Sequence, residues 1–292
     1  MRFRIANSLG SLQGFHVYGF SSRVDNMKYY VASCSCGKDS LAMVLRLIEE
    51  NKPLSEVVYF DMGEVEFDCI HHVADKLNLF LEERGIKFTV LHPAESFIYL
   101  ATEKEVVKRD GRIQQGYMWC GGRCRWGTHL KLSTIEKYLK SLEPDKGELI
   151  QYVGIAFDER IRAERAKMSK KKSRYPILYP LIEWQMTEAE CLDYCRERDW
   201  KWEEDGYDMY ILLDRLSCSC CSNKNLRELS NMFRFLKSRN YWAMLEELQR
   251  KIPMPFRHKT GQTVFDLRAR FEAESAQMDI FDILKEVNKE SS

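Results

Sequence analysis

Along the chain, apolar positions switch repeatedly between two periods. Lys28-Tyr-Tyr-Val-Ala32 reads as a buried strand, and Ser40 to about Asn51 carries apolar residues at helical spacing until Lys52-Pro53 stops it. Val57-Val-Tyr-Phe60 is a second short β run, closed by Asp61-Met-Gly63. Ile70, Val73, Leu77 and Phe80 then recur at helical spacing as far as Arg84-Gly85, and Lys87-Phe-Thr-Val-Leu91 predicts a third strand. Strand, helix, strand, helix, strand is the order of a parallel sheet with helices on its faces. Residues 96–142 mix helix-like runs with the glycine-rich Cys120-Gly-Gly-Arg-Cys124, and Leu149 to Ala156 is again strand-like. Thr187-Glu-Ala-Glu190 predicts a capping box opening a helix to about Arg198, and almost everything beyond Asn225 reads as helix.

These 292 residues are 45% hydrophobic, enough to fill a large core. No window approaches the roughly 18 to 20 apolar residues of a membrane span, so no membrane partner and a cytoplasmic location are expected. A formal net charge of +1 excludes a polyelectrolyte binder as a whole molecule, though not a local phosphate or nucleic-acid patch. Residues 1–26 show no sustained periodicity; either Met27 is the natural start, or a peripheral strand lies around Gly14 to Phe20. The expected organisation is a nucleotide-binding α/β unit over 27–185 and a mainly helical region over 186–292.

Candidate chemistry concentrates first in Ser33-Cys-Ser-Cys-Gly-Lys-Asp-Ser40, where a strand hands over to a helix. Backbone N–H groups and the helix dipole make such a junction an anion site. Gly37 supplies conformational freedom, Ser33, Ser35 and Ser40 supply hydroxyls, and Lys38 supplies charge, so a phosphate chain is the expected ligand. The Walker A spacing is not met, which excludes a standard P-loop NTPase.

Ser35-Cys-Gly-Lys-Asp-Ser40 resembles instead the PP-loop, Ser-Gly-Gly-x-Asp-Ser, of the ATP pyrophosphatases and the phosphoadenosine phosphosulfate (PAPS) reductase-like family. Three further segments are similar to that family's motifs, in the same order: Val57 to Glu64, Gly154-Ile-Ala-Phe-Asp-Glu-Arg-Ile-Arg162, and Leu178-Tyr-Pro-Leu-Ile-Glu-Trp184. The resemblance covers residues 28 to about 195. It implies a Rossmann-like, HUP-type parallel sheet flanked by helices, with a helical C-terminal region, that binds ATP with Mg2+ and splits it to AMP and pyrophosphate while adenylating an acceptor. It implies phosphate or nucleotide contacts for Ser33, Ser35, Cys36, Gly37, Lys38, Asp39, Ser40, Asp61, Gly63, Gly154, Arg160 and Arg162. Lys38, Asp39 and Asp61 would carry the chemistry, the two aspartates by holding Mg2+ or by ordering the loop; a helix cap is the structural alternative for Asp39.

Three departures stand out. Cys36 replaces the loop's first glycine, so its backbone is expected to use angles a side chain tolerates, with the thiol either merely small or facing phosphates. Met62 and Ala156 replace a threonine and an arginine of the family pattern.

Ten cysteines in a cytosolic chain point to metal or redox chemistry rather than disulfides. Cys120, Cys124, Cys218 and Cys221 form two short pairs suited to zinc or a 4Fe-4S cluster, with Cys220 spare. Cys69, Cys191 and Cys195 lie on amphipathic runs and read as core, whereas Trp119, Arg123, Arg125 and Trp126 could clamp a substrate. His71-His72 reads as a solvated helix face, and Lys170-Lys-Lys172 as a solvated loop able to guide a polyanion. A reductase would need a nucleophilic cysteine near the C-terminus, and none follows Cys221. An adenylating enzyme serving sulfur transfer is the leading expectation, with a nucleic acid or a sulfur carrier as acceptor and a homodimer as the candidate assembly. The alternatives are an atypical sulfonucleotide reductase acting through Cys36 or Cys220, and a non-catalytic nucleotide-binding module.

Overall fold

The computed structural model describes residues 28–120, 124, 127–168 and 173–290. The segment 1–26, Arg123, Arg125, Trp126 and Lys170-Lys-Lys172 lie outside the described residues. In chain order the elements of the first half are β1 (Lys28–Cys34), α1 (Lys38–Glu49), β2 (Glu56–Phe60), α2 (Asp68–Glu82), β3 (Lys87–Leu91), α3 (Phe97–Thr102), β4 (Glu105–Val107), β5 (Ile113–Gln115) and α4 (Gly127–Lys146). Next come β6 (Glu148–Val153), α5 (Arg160–Met168), β7 (Ile177–Leu178), α6 (Pro180–Glu183), α7 (Glu188–Arg196), β8 (Glu203–Glu204), β9 (Tyr207–Asp208), α8 (Met209–Leu212), α9 (Leu226–Phe235), α10 (Tyr241–Lys251) and α11 (Val264–Glu290).

Five strands form one parallel sheet in the order β3-β2-β1-β6-β7. The chain therefore winds outward from β1 in both directions, which makes the carboxyl end of β1, beside β6, the switch point where such sheets expose a ligand crevice. This is the Rossmann-like α/β sheet with flanking helices that the motif order implies, and no helix among the described residues is long and apolar enough to cross a membrane.

Alternation along the strands decides which helix covers which face. Ala32, Val57 and Tyr59 pack with α1, α2 and α7, whose Leu41, Leu77, Cys191 and Cys195 are buried. Val31, Val58 and Phe60 face the other way, onto Ile135 and Leu139 of α4. Met232, Leu236 and Tyr241 from the C-terminal helices join the first of these clusters. Both halves of the expected capping box form, with Thr187 and Glu190 each accepting from the other's backbone amide. The expected C-terminal helices are present as α9, α10 and α11.

The hardest group to bury is Glu56 at the start of β2, which has no exposed surface. It accepts hydrogen bonds from Thr89 Oγ1 (2.5 Å), the Tyr138 hydroxyl (2.5 Å) and the Tyr29 hydroxyl (2.9 Å), and Lys87 Nζ stands 3.1 Å away. Burial raises its carboxyl pKa, but the donors outweigh burial and hold it below the usual carboxylate value. A depressed carboxyl stabilises the fold above its unfolded pKa and loses that contribution as pH falls through the folded one. Glu56→Gln should accordingly lower stability near pH 7 by about 2 to 3 kcal/mol. In urea titrations the gap to the parent should narrow as pH falls below about 4.5; a gap independent of pH would show that Glu56 is not held ionised.

Candidate functional site

Between β1 and α1 the chain turns within three residues. Ser33 and Cys34 continue β1 rather than the loop, Ser33 registering with Val58 and Val153. Cys36 sits at φ +56°, in the left-handed region. This corrects the expectation of a side-chain-tolerant angle: the cysteine adopts the conformation for which glycine is suited, at a cost of about 1 kcal/mol. Its carbonyl accepts the Trp202 indole N–H at 2.7 Å, and the thiol is fully buried in the core instead of facing phosphates. Burial pushes that thiol well above its ordinary pKa.

Several loop amides have protein partners. Ser35 N–H donates to Ser40 Oγ (3.0 Å), Cys36 N–H to Cys34 Sγ (3.4 Å), and Lys38 N–H to the Tyr210 hydroxyl (2.8 Å). Gly37 occupies the N-cap position of α1, so Asp39 lies in the first helical turn and is not the cap.

The loop opens into a cleft of about 270 Å³ lined by Ser35, Gly37, Lys38, Asp39, Ser40, Gly154 and Arg162. The C-terminal half contributes Glu188, Tyr210, Arg215 and Ser217. The volume is at the low end of the roughly 300 to 1,000 Å³ of small-molecule pockets, enough for part of a nucleotide. Lys38, only 8% exposed, is gripped by Asp39 Oδ1 and Glu188 Oε2, each at 2.8 Å. Burial lowers its pKa, but the two carboxylates outweigh that and hold it above the ordinary lysine value. Asp39 is shifted upward by burial despite Lys38, with Glu188 and Glu159 adding to the effect. At the mouth, Glu159 takes Arg162 Nη1 (3.0 Å) on one oxygen and Arg215 Nη2 (3.2 Å) on the other.

Five expected residues do not line this cleft. Ser33 is held within the sheet, Cys36 points into the core, and Arg160 lies over the Phe157 ring, 4.9 Å from its centroid. Asp61 and Gly63 form a separate turn at the end of β2, where Gly63 N–H donates to Asp61 Oδ1 at 2.7 Å. That turn also corrects the reading of His71 as a solvated residue, since its Nε2 is 3.1 Å from Asp61 Oδ1; His72 is exposed as expected. Glu188, Tyr210 and Arg215 are site residues to which no sequence motif points. Glu188 is legible only as the first residue of the capped helix, while Tyr210 and Arg215 arrive from a region without a nucleotide motif.

The two cysteine segments meet. Ser222 Oγ–H donates to the Cys120 carbonyl at 2.8 Å, and Cys120, Cys124, Cys218 and Cys220 share one apolar cluster with Trp119, which is buried against Phe256. Its hydrogen bond to Cys220 raises the Cys218 pKa, and its hydrogen bond to Cys218, with burial, raises that of Cys221. The donor set fits a thiophilic metal, because only a cation would stabilise four such thiolates in this surrounding. A tetrahedral zinc with 2.3 Å bonds draws its sulfurs to about 3.8 Å from one another. Among the described residues no three thiols lie within 4.8 Å of one another, although Cys218 is hydrogen-bonded to both Cys220 and Cys221. Cys69, Cys191 and Cys195 are buried core residues.

The fold and cleft define a parallel α/β sheet with a polar, charged cleft at its switch point. No protein-family model matches the chain, and no curated protein matches it. Among solved structures it is similar to the U34-tRNA thiolase NcsA from Methanococcus maripaludis with its 4Fe-4S cluster. The identity is 16% and the TM-score 0.43, over 85% of this chain and 72% of that one.

Gly154 lets the end of β6 approach the loop. A Cβ there would lie 2.9 Å from Ser40 Cα and 3.2 Å from Ser40 N. Gly154→Ala must push the two backbones apart and should cost about 1 to 3 kcal/mol, read as a lower thermal midpoint; an unchanged midpoint would mean the strand end yields freely.

Proposed function

We propose that the chain is an ATP-cleaving, adenylating enzyme of the PP-loop kind that activates an acceptor for sulfur transfer. The observation that carries this reading is the convergence of Ser35, Gly37, Lys38 and Ser40 with Arg162 and Arg215 on one cleft at the sheet switch point. An acceptor nucleophile would attack the α-phosphorus, the bond to the bridging oxygen would break, and pyrophosphate would leave with the negative charge. Lys38 and the two arginines are the groups able to offset that charge. Asp39, Glu159, Glu188 and Asp214 bring four carboxylates to the same cleft, so a triphosphate needs a divalent cation beside it. Asp39 and Glu188 are the residues that would hold Mg2+, which supplies charge neutralisation on the leaving group.

Cys120, Cys124, Cys218 and Cys221 are proposed to hold an iron–sulfur cluster, for which the meeting of the two cysteine segments in one apolar surround is the support. Such a cluster would supply sulfur or electron chemistry. The reductase alternative loses support because the thiols it would use are inaccessible, Cys36 fully buried and Cys220 2% exposed.

Incubated with ATP and Mg2+, the chain should release AMP and pyrophosphate once an acceptor is present. Lys38→Met should reduce that release by at least about 100-fold, whereas ADP and phosphate as products would overturn the reading. ATP binding with no product from tRNA or from sulfur-carrier acceptors would favour the non-catalytic module. Purified without oxygen, the protein should be brown and contain iron, and the pair Cys218→Ser and Cys221→Ser should lose both. Colourless protein with stoichiometric zinc would refute the cluster assignment.

A further inference from the structure

The neighbouring strand ends carry a different constellation. Asp61 follows β2 and His92 follows β3, and His92 Nδ1 lies 3.5 Å from Asp61 Oδ2. The other Asp61 oxygen is 3.1 Å from His71 Nε2 on α2, and Glu66 Oε2 is 3.7 Å from that same nitrogen. Ligand atoms of Asp61, Glu66 and His71 all fall within 4.8 Å of one another. Metal bonds of about 2.1 Å place neighbouring donors roughly 3.0 to 3.4 Å apart, so small side-chain rotations suffice to close this set.

Its members are oriented from behind. Gly63 N–H donates to Asp61, while the Tyr59 hydroxyl (2.5 Å) and Met62 N–H (3.0 Å) donate to the buried Glu66. The far nitrogen of His71, Nδ1, faces Asp68 at 3.9 Å, and Asp68 is paired with Arg239. A carboxylate behind a ligating imidazole is a common support for metal-binding histidines. His92, with its side chain 65% exposed, is placed to close the set from the solvent side.

We propose that Asp61, Glu66 and His71, completed by His92, bind one divalent first-row transition cation such as Mn2+, Fe2+ or Zn2+. None of the four lines the phosphate cleft, and none is a thiol, so this site is separate from both centres described above. Two imidazoles with two carboxylates favour such a cation over Mg2+, whose preferred donors are all oxygen. This replaces the expectation that Asp61 shares the nucleotide's Mg2+ with Asp39.

The test uses the full chain, stripped with chelator and titrated with Co2+ and Mn2+ alone, without nucleotide. One equivalent should bind with cobalt d–d absorption and no thiolate-to-metal charge-transfer band, and it should persist in the Cys218→Ser, Cys221→Ser chain. Asp61→Asn and His71→Gln should each weaken binding about 10- to 100-fold, with circular dichroism unchanged, while His72→Gln should bind as the parent does. If a substituted chain fails to fold, the cobalt spectrum of the parent decides alone. Thiolate bands for the only bound ion, or equal affinity in all three histidine and aspartate variants, would overturn the proposal.

Discussion

Everything at the cleft depends on one strained residue and the two side chains that hold its loop. Here the strand hands over to the helix within three residues, and the residue that turns left-handed is Cys36 at φ +56°. The Trp202 indole binds its carbonyl, and the Tyr210 hydroxyl accepts the Lys38 amide two residues on. Both clamps come from beyond residue 196, where α7 ends. The loop is therefore not a self-sufficient motif, because its shape is completed by the C-terminal half. The strain is tolerable because the Cys36 side chain, denied the cleft, recovers burial in the apolar core.

That geometry also sets the charge logic. Lys38 is almost entirely buried yet ionised, because two carboxylates flank it. Arg162 and Arg215 are tethered by the single carboxylate of Glu159. Each cation thus already has an anionic partner, and any anionic ligand would gain from them only by displacing or sharing those partners.

The sheet and its helices are legible in the sequence because their signals are local. β3 runs from Lys87 to Leu91 as its apolar run does, and the Thr187–Glu190 box forms both of its hydrogen bonds. β1 runs two residues past its expected end because strand pairing with β2 and β6 overrides the polar character of Ser33. Ser35, Gly37, Lys38, Asp39 and Ser40 are identifiable from the motif, and Gly154 from its place at a strand end. Glu188, Tyr210 and Arg215 are not, because they reach the cleft through tertiary packing that no periodicity encodes. His71 escapes sequence reasoning for a related reason: two adjacent histidines on a helix look alike in sequence, but they project about 100° apart around its axis, so one meets Asp61 and the other meets water.

The same parallel sheet then explains why three clusters of polar and thiol side chains sit side by side. Parallel strands all end on one edge, so the residues just past each strand are delivered to that edge. β1 and β6 deliver the Ser35–Ser40 loop and Gly154; β2 and β3 deliver Asp61 and His92. Met62, next to Asp61, packs in the cluster that contains Cys120, Cys124 and Cys218. Gly127 stands at that seam, where an added Cβ would lie 3.0 Å from Cys124 Sγ and 3.6 Å from Met62 Cε. The thiols are thus one residue removed from the carboxylate–imidazole set, whereas the cleft is separated from that set by the buried body of the Cys34–Cys36 bend. Coupling between thiols and the histidine set is accordingly expected to pass through Met62 and the Asp61 turn, while coupling to the cleft must pass through the loop itself, the one segment whose conformation is already held by Trp202 and Tyr210.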